Sequence, residues 1–165
     1  MSNTQSSKKR GFCTFLLDNK RYAVDILTVQ DVNRHLRITP VYGAPDYVLG
    51  LVNLRGQVVN AVDTKCALGL GPMEVTENTR QLVLKTNSDL QARGITDLST
   101  SEDLIGLLVD RVSDVIDVEE SQIEVPPPAL AQRQGAVVHG VVQLEGEVLR
   151  ILDPSKLLAF EVDAA

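Results

Sequence analysis

GLVNLRGQVVNAVDTKCAL (residues 50–68) can be set above GVVQLEGEVLRILDPSKLL (residues 140–158) without a gap. Gly50 then meets Gly140, Val52 meets Val142, Leu54 meets Leu144 and Gly56 meets Gly146. Further on, Val58 meets Val148, Asp63 meets Asp153 and Leu68 meets Leu158. In each copy apolar runs flank a glycine-bearing turn, the pattern of a β-hairpin, with strands near 48–53 and 57–62 in the first copy. An aspartate and a short helical pattern follow. Asp63 reads as the cap of a helix ended by Gly69, and Asp153 as the cap of one with Pro154 in its first position.

The repeat extends upstream. VDILTVQDV (24–32) echoes VDRVSDV (109–115) with a two-residue difference, and ITPVYGAP (38–45) resembles IEVPPPAL (123–130). A strand, a hairpin and a capped helical turn thus occur twice, about ninety residues apart, which predicts two like β-subdomains side by side. Short strands at this spacing favour small closed barrels, since closure removes exposed sheet edges.

Elsewhere, FCTFLLDNKRYAVDI (12–26) reads as a hairpin turning at Asp18–Arg21. In ILTVQDV (26–32), Ile26, Val29 and Val32 point one way only if the segment bends or turns helical, and its type stays open. RITPVYGAPDYVLG (37–50) is broken by Pro40 and Pro45 into a loop. TRQLVLKT (79–86) and DLIGLLVDRVSDVIDV (103–118) are strand candidates. The polar, turn-rich stretch 86–103 between them reads as a long exposed loop. Pro126, Pro127 and Pro128 make an extended segment that cannot be a central strand. A hairpin over 137–152 and a helix in DPSKLLAF (153–160) close the chain, and residues 1–10 read as a disordered tail.

Composition narrows the function. Aromatics are 4% and tryptophan is absent, so Val, Leu and Ile must fill the core. A net charge of −6 argues against a nucleic-acid binder, which needs a basic face to displace counterions from phosphate, and against docking on anionic lipid. No apolar run reaches the roughly 20 residues that span a bilayer, and the basic start lacks a hydrophobic region behind it, so the chain is expected in the cytoplasm. Cys13 and Cys66 sit in apolar stretches and read as buried, reduced thiols.

The search for chemistry finds little. His35 and His139 lack partners at metal-ligand spacing, and no phosphate loop or nucleophile elbow occurs. Asp63 and Asp153, one per repeat, suggest an aspartate-dependent hydrolase, but Lys65 and Ser155 stand where an aspartic protease needs glycine. Helix capping explains both aspartates better. Asp25, Asp31, Asp110, Asp114 and Asp117 form no compact cation-binding run and read as solvated strand-end carboxylates. No catalytic residue, cofactor or metal is expected, and surface remains. The turn glycines serve the fold; the residue before each, Arg55 or Glu145, is left free for a partner.

Together, VLGLVNLRGQVVNAVD (48–63), AVDILTVQDV (23–32) and IGLLVDRVSDVIDV (105–118) resemble the bacterial chemotaxis coupling protein family, CheW, over about 12–158. The resemblance implies a mainly β fold of two similar five-stranded, SH3-like β-barrel subdomains sharing a core, with short helices. Residues 11–159 would form this domain. One subdomain is dominated by about 33–85 and the other by about 104–150, with exchanged terminal segments, and 160–165 form a tail. It implies a non-enzymatic adaptor, recruited to membrane-associated receptor arrays, that joins the cytoplasmic tip of a methyl-accepting chemoreceptor to the regulatory domain of a CheA-type histidine kinase. Carried over, Ile26, Val29, Arg55, Leu82, Gly106 and Val112 face the receptor, a helical hairpin lying in a groove between subdomains. Asp31, Val32 and Gly50 face the kinase. The family's proline after the turn and its Asp-Leu-Arg are replaced here by Asn60 and Asp63-Thr64-Lys65. That departure points to the alternative of a related non-flagellar pathway, serving surface motility or development.

Overall fold

The computed structural model describes residues 8–34, 37–134 and 137–158. The first repeat runs β1 (Lys9–Leu17), β2 (Lys20–Asp25), a 3-10 turn (Ile26–Thr28), β3 (Val29–Asn33), β4 (Ile38–Thr39), β5 (Val48–Leu54), β6 (Gln57–Asp63) and α1 (Thr64–Ala67). The second runs β7 (Arg80–Leu84), α2 (Asn87–Ala92), β8 (Ile105–Val109), β9 (Arg111–Glu119), a 3-10 turn (Glu120–Gln122), α3 (Pro128–Gln134), β10 (Val138–Leu144), β11 (Glu147–Leu152) and α4 (Pro154–Leu158).

The strands form two sheets, ordered β10-β11-β2-β1-β9 and β3-β7-β8-β6-β5-β4. Each repeat therefore divides itself. The β1–β2 hairpin of the first repeat joins strands of the second, while β7 and β8 of the second join strands of the first. Both repeat hairpins end in a strand paired parallel to the exchanged hairpin: β6 to β8, and β11 to β2. The extra strand of the six-stranded sheet, β4, is two residues long, and its counterpart in the other sheet is the single bridge between Glu124 and Val141.

The register also sharpens the repeat. Tyr22 pairs with Arg150 and Ile105 with Asn60, which are equivalent hairpin positions. Val24 is thus level with Leu107, and Val29 with Val112. The repeats run here without the two-residue difference that the shared Val-Asp pair suggests.

The exchanged strands bury both faces. Cys13, Phe15 and Leu17 of β1, Leu82 and Leu84 of β7 and Ile105, Leu107 and Val109 of β8 enter one cluster shared by the two sheets. The opposite faces fill a private core in each sheet, around Phe12, Ala23 and Leu149 in one and Val59, Val83 and Leu108 in the other. Every residue of β8 is buried, which explains why its sequence is an unbroken apolar run rather than an alternating one. Among the largest of these side chains, each full burial is worth about 1.5–3 kcal/mol, so this core dominates stability.

Where the chain passes between sheets, aspartates hold it. Asp25 is buried, accepts from Leu27 N (2.9 Å) to cap the 3-10 turn, and meets Arg10 Nη2 at 2.8 Å. It is not a solvated carboxylate, because the turn and the guanidinium both need its oxygens. Arg10, within the segment read as a tail, lies in β1; residues 1–7 are outside the described residues. At the other crossing, Asp110 Oδ2 accepts from Asp18 N (2.9 Å). Asp110 also divides DLIGLLVDRVSDVIDV into β8 and β9, which belong to different sheets.

Two further segments differ from their sequence readings. The expected loop 86–103 contains α2, capped by Thr86 and anchored by buried Leu90. Its one apolar anchor was masked by polar neighbours. The proline segment turns helical at Pro128, since proline suits a first helical position and Ala131 N can donate to the Pro127 carbonyl (2.9 Å). Asp63 caps α1 through Cys66 N (3.0 Å) and also holds Met73 N (2.9 Å), while Asp153 accepts from Ser155 N (3.1 Å).

Gly50 has a φ of +149°, and a Cβ there would overlap the Thr39 carbonyl of β4; Gly140 is closed in the same way by Ile123 Cγ2 at 2.6 Å. Gly50→Ala should therefore cost about 2–4 kcal/mol in urea denaturation, from overlap and backbone strain combined. Gly43→Ala, in open space at φ +81°, should cost less. Equal losses would contradict the close approach at Gly50.

Both thiols are free, and burial pushes the Cys13 thiol up; burial with Asp63 and Asp46 does the same for Cys66. A raised folded-state value means stability is full below the unfolded thiol value of about 8.5 and is lost as pH rises through the folded one. Urea midpoints should fall between about pH 8 and 10, and less so in Cys13→Ala. A flat profile would rule out the linkage.

Candidate functional site

The two sheets end on equivalent edge strands, and each carries the pattern Val-x-Asp-Val: Val29 to Val32 in β3, Val112 to Val115 in β9. Residues three apart in a plain strand face opposite sides. Here each strand holds a bulge. In β3 the pairing passes from Val29↔Leu84 to Asp31↔Val83, and in β9 two residues between Val112 and Val115 oppose the single Thr14. The extra residue cancels the alternation. Val29 and Val32 both stand opposite shared-core leucines (Leu84 and Leu82), and Val112 and Val115 stand opposite Phe15 and Cys13 of the same core.

The 3-10 turn before β3 completes the arrangement. It carries Ile26 against the shared core from its margin, where Val29 and Val112 also pack. Ile26 lies over Gly11, beside Asp117 of β9; a Cβ on Gly11 would stand 3.0 Å from Ile26 Cγ2. The open question about ILTVQDV is thus answered by a turn and a bulge together. The outer members of the two rows are accessible: Val32 is 42% and Val115 58% exposed, and Leu27 on the turn is 46% exposed. An apolar margin between the sheets results, half-buried within and exposed without.

Arg55 sits beside it. The β5–β6 turn is a two-residue loop with φ of +53° at Arg55 and +83° at Gly56, the left-handed pair that matches hairpin twist. Arg55 is therefore not free of the fold's demands, whereas Glu145 in the second turn is not in that conformation. From there Arg55 Nη1 reaches Asp31 Oδ2 at 3.1 Å. Asp31 belongs to β3, one edge of the sheet, and Arg55 to the hairpin near the other, so the sheet curls until the two meet. Asp31 is held in turn by Val32 N (2.9 Å) and Asn33 Nδ2 (3.4 Å). With Arg55 78% exposed, the pair contributes at most a few tenths of a kcal/mol after solvent screening. Its role is to orient the guanidinium.

Asp31 belongs with Arg55, and Val32 with Val29. Leu82 is fully buried in the shared core and supports the margin from beneath. Gly106 is on the opposite face of its sheet, under the Gln81 side chain, which a Cβ would overlap. Gly50 is buried against Thr39. Leu27 and Val115, exposed on the same margin, are not among the sequence-derived residues. The Val-x-Asp-Val repeat was the available signal for Val115, once a bulge is allowed for it. His35 lies outside the described residues, and His139 is exposed on β10.

Comparison with known proteins gives the family. Residues 11–162 match the model of the CheW-like domain. The chain is similar to chemotaxis protein CheW of Bacillus subtilis, 28% identical over 144 residues, 87% of this chain and 83% of that one. It is 27% identical over 156 residues to protein FrzA of Myxococcus xanthus, covering 93% of this chain and 88% of that protein. The crystal structure of scaffolding protein TtCheW from Thermoanaerobacter tengcongensis superposes with a TM-score of 0.78 at 26% identity, over 96% of this chain and 97% of that one.

Burial separates support from contact in a measurable way. Leu82→Ala should lower stability by about 2–5 kcal/mol, while Val32→Ala and Val115→Ala should stay within about 1 kcal/mol of the parent. Denaturation midpoints that rank Val115 with Leu82 would show that the margin is closed, not open.

Proposed function

The chain belongs to the CheW-like family, and from that premise we propose that it is a non-enzymatic scaffold that couples chemoreceptors to a CheA-type histidine kinase. The observation that carries the reading is the apolar margin between the sheets, Ile26, Val29 and Val112 with exposed Val115, set beside the oriented Arg55. A trough of this kind suits the apolar stripe of a receptor's helical tip, and a fixed guanidinium beside it gives direction and register. Leu82 and Gly106 act on the receptor site by shaping it from within. Asp31, Val32 and Gly50 serve the kinase's regulatory domain: Asp31 by setting Arg55, Val32 by contact, Gly50 by letting β4 cross closely. The division of residues 11–159 into two subdomains with a shared core belongs to the same reading.

The protein works in the cytoplasm and is recruited to receptor arrays through its partners. Among the described residues no helix is long and apolar enough to cross a membrane. The second reading, a coupling protein for surface motility or development, keeps this geometry; similarity to a relative not named for chemotaxis, FrzA, favours it.

Arg55→Gly removes the guanidinium while keeping the left-handed turn that glycine adopts without strain. It should leave the denaturation midpoint nearly unchanged and weaken binding to a receptor signalling fragment about tenfold, as should Val115→Asp. Calorimetric titration against that fragment, and against the regulatory domain of the kinase from the same genome, checks this. Unchanged binding in both variants would exclude the margin as the contact surface. Failure of the parent protein to bind either partner would exclude the coupling role.

A further inference from the structure

A concave site of about 200 Å³ lies between the β1–β2 turn, the chain after α1, and α3. Lys20, Arg150, Tyr22 and Gln134 line it together with Leu70 and Leu130. Its charge is opposite to that of the chain. The whole sequence carries −6, yet the lining holds two cations and no carboxylate. Among the described residues neither cation is ion-paired; the neighbouring Arg21 is, with Glu147 at 3.5 Å. Arg150 is fixed in place, its guanidinium 5.6 Å over the ring of buried Tyr22. Two cations without an ion-pair partner among the described residues, lining one concavity in an acidic protein, repel each other unless something anionic enters.

The wall also contains a polar group with an unmet need. Gln134 is buried, and its Nε2 donates to the Leu68 carbonyl at 3.3 Å, which fixes the amide's orientation. Its Oε1 is enclosed and has no hydrogen-bond partner among the described residues. A buried acceptor without a donor costs free energy that a suitable guest relieves. The guest is thereby described: an oxyanion that carries a hydrogen-bond donor of its own. Hydrogen phosphate and its monoesters have this chemistry, and the planar fork of Arg150 beside the point charge of Lys20 suits phosphate oxygens.

We propose that Lys20, Arg150 and Gln134 form a binding site for a phosphate group, free or carried on a small molecule. The site uses none of the residues assigned to partner contact, so it stands whether or not the coupling role does.

The test is an amide-resonance titration of the full chain at fixed ionic strength, with inorganic phosphate, glycerol phosphate and acetate as separate probes. Saturable shifts at Lys20, Tyr22, Leu70 and Arg150 are expected with phosphate, and their loss or an about tenfold weakening in Arg150→Gln and Lys20→Gln. Both variants change partly exposed side chains, and their spectra elsewhere report whether the fold is intact. Binding of inorganic phosphate alone identifies the free ion as the guest; tighter binding of glycerol phosphate identifies a carried group. Acetate binding as tightly as phosphate would overturn the phosphate assignment. Linear, unsaturable shifts, or equal affinity in both variants, would overturn the site itself.

Discussion

Burial of both faces of the exchanged strands is the constraint on which the rest depends. β1 and β2 leave their own repeat to join the other sheet, and β7 and β8 do the reverse. Their outer residues then meet in one core that neither sheet completes alone. The two sheets cannot part without exposing Phe15, Leu82 and Leu107 at once, so the margin between them is a fixed feature, not a hinge. A partner lying there reads a surface that the core has already set.

The margin exists because an edge strand must be managed. A flat edge with free backbone groups invites unwanted pairing, and a bulge interrupts it. In β3 and β9 the bulge does something more. It brings two valines, three residues apart, to one side, and so converts an edge device into an apolar row. The equivalence of the two strands gives the row a counterpart across the shared core, which a single bulge would not.

Charge plays a directing part here and hardly a stabilising one. Buried Asp25 holds the crossing from β2 to β3, Asp110 the crossing from β8 to β9, and Asp63 a helix cap with the chain beyond it. Arg10 gathers Asp25 and Glu120; burial works against its charge, but the hydrogen bond to Asp25 and the surrounding carboxylates outweigh that and push it up. The exposed Arg55–Asp31 pair is worth little against a core whose members each contribute several times as much. Its value lies in where it points a guanidinium.

The sequence alone determined the duplication, the hairpins with their glycine turns, the aspartate caps and the family, because each is a local pattern that recurs at a fixed spacing. It also marked the two edge-strand segments, since Val-x-Asp-Val stands in both repeats. Tertiary structure decided what those patterns mean in space. A bulge is invisible in one strand's sequence, as it is defined by the partner strand, so the facing of Val32 and Val115 could not be read. Leu82, Gly106 and Gly50 look alike as apolar or small positions in a strand, yet one fills the core, one lies under Gln81 and one lets Thr39 pass. The exchange of strands between repeats was the largest unreadable fact. Local propensity makes a strand, but only the burial available on both its faces chooses the sheet it joins.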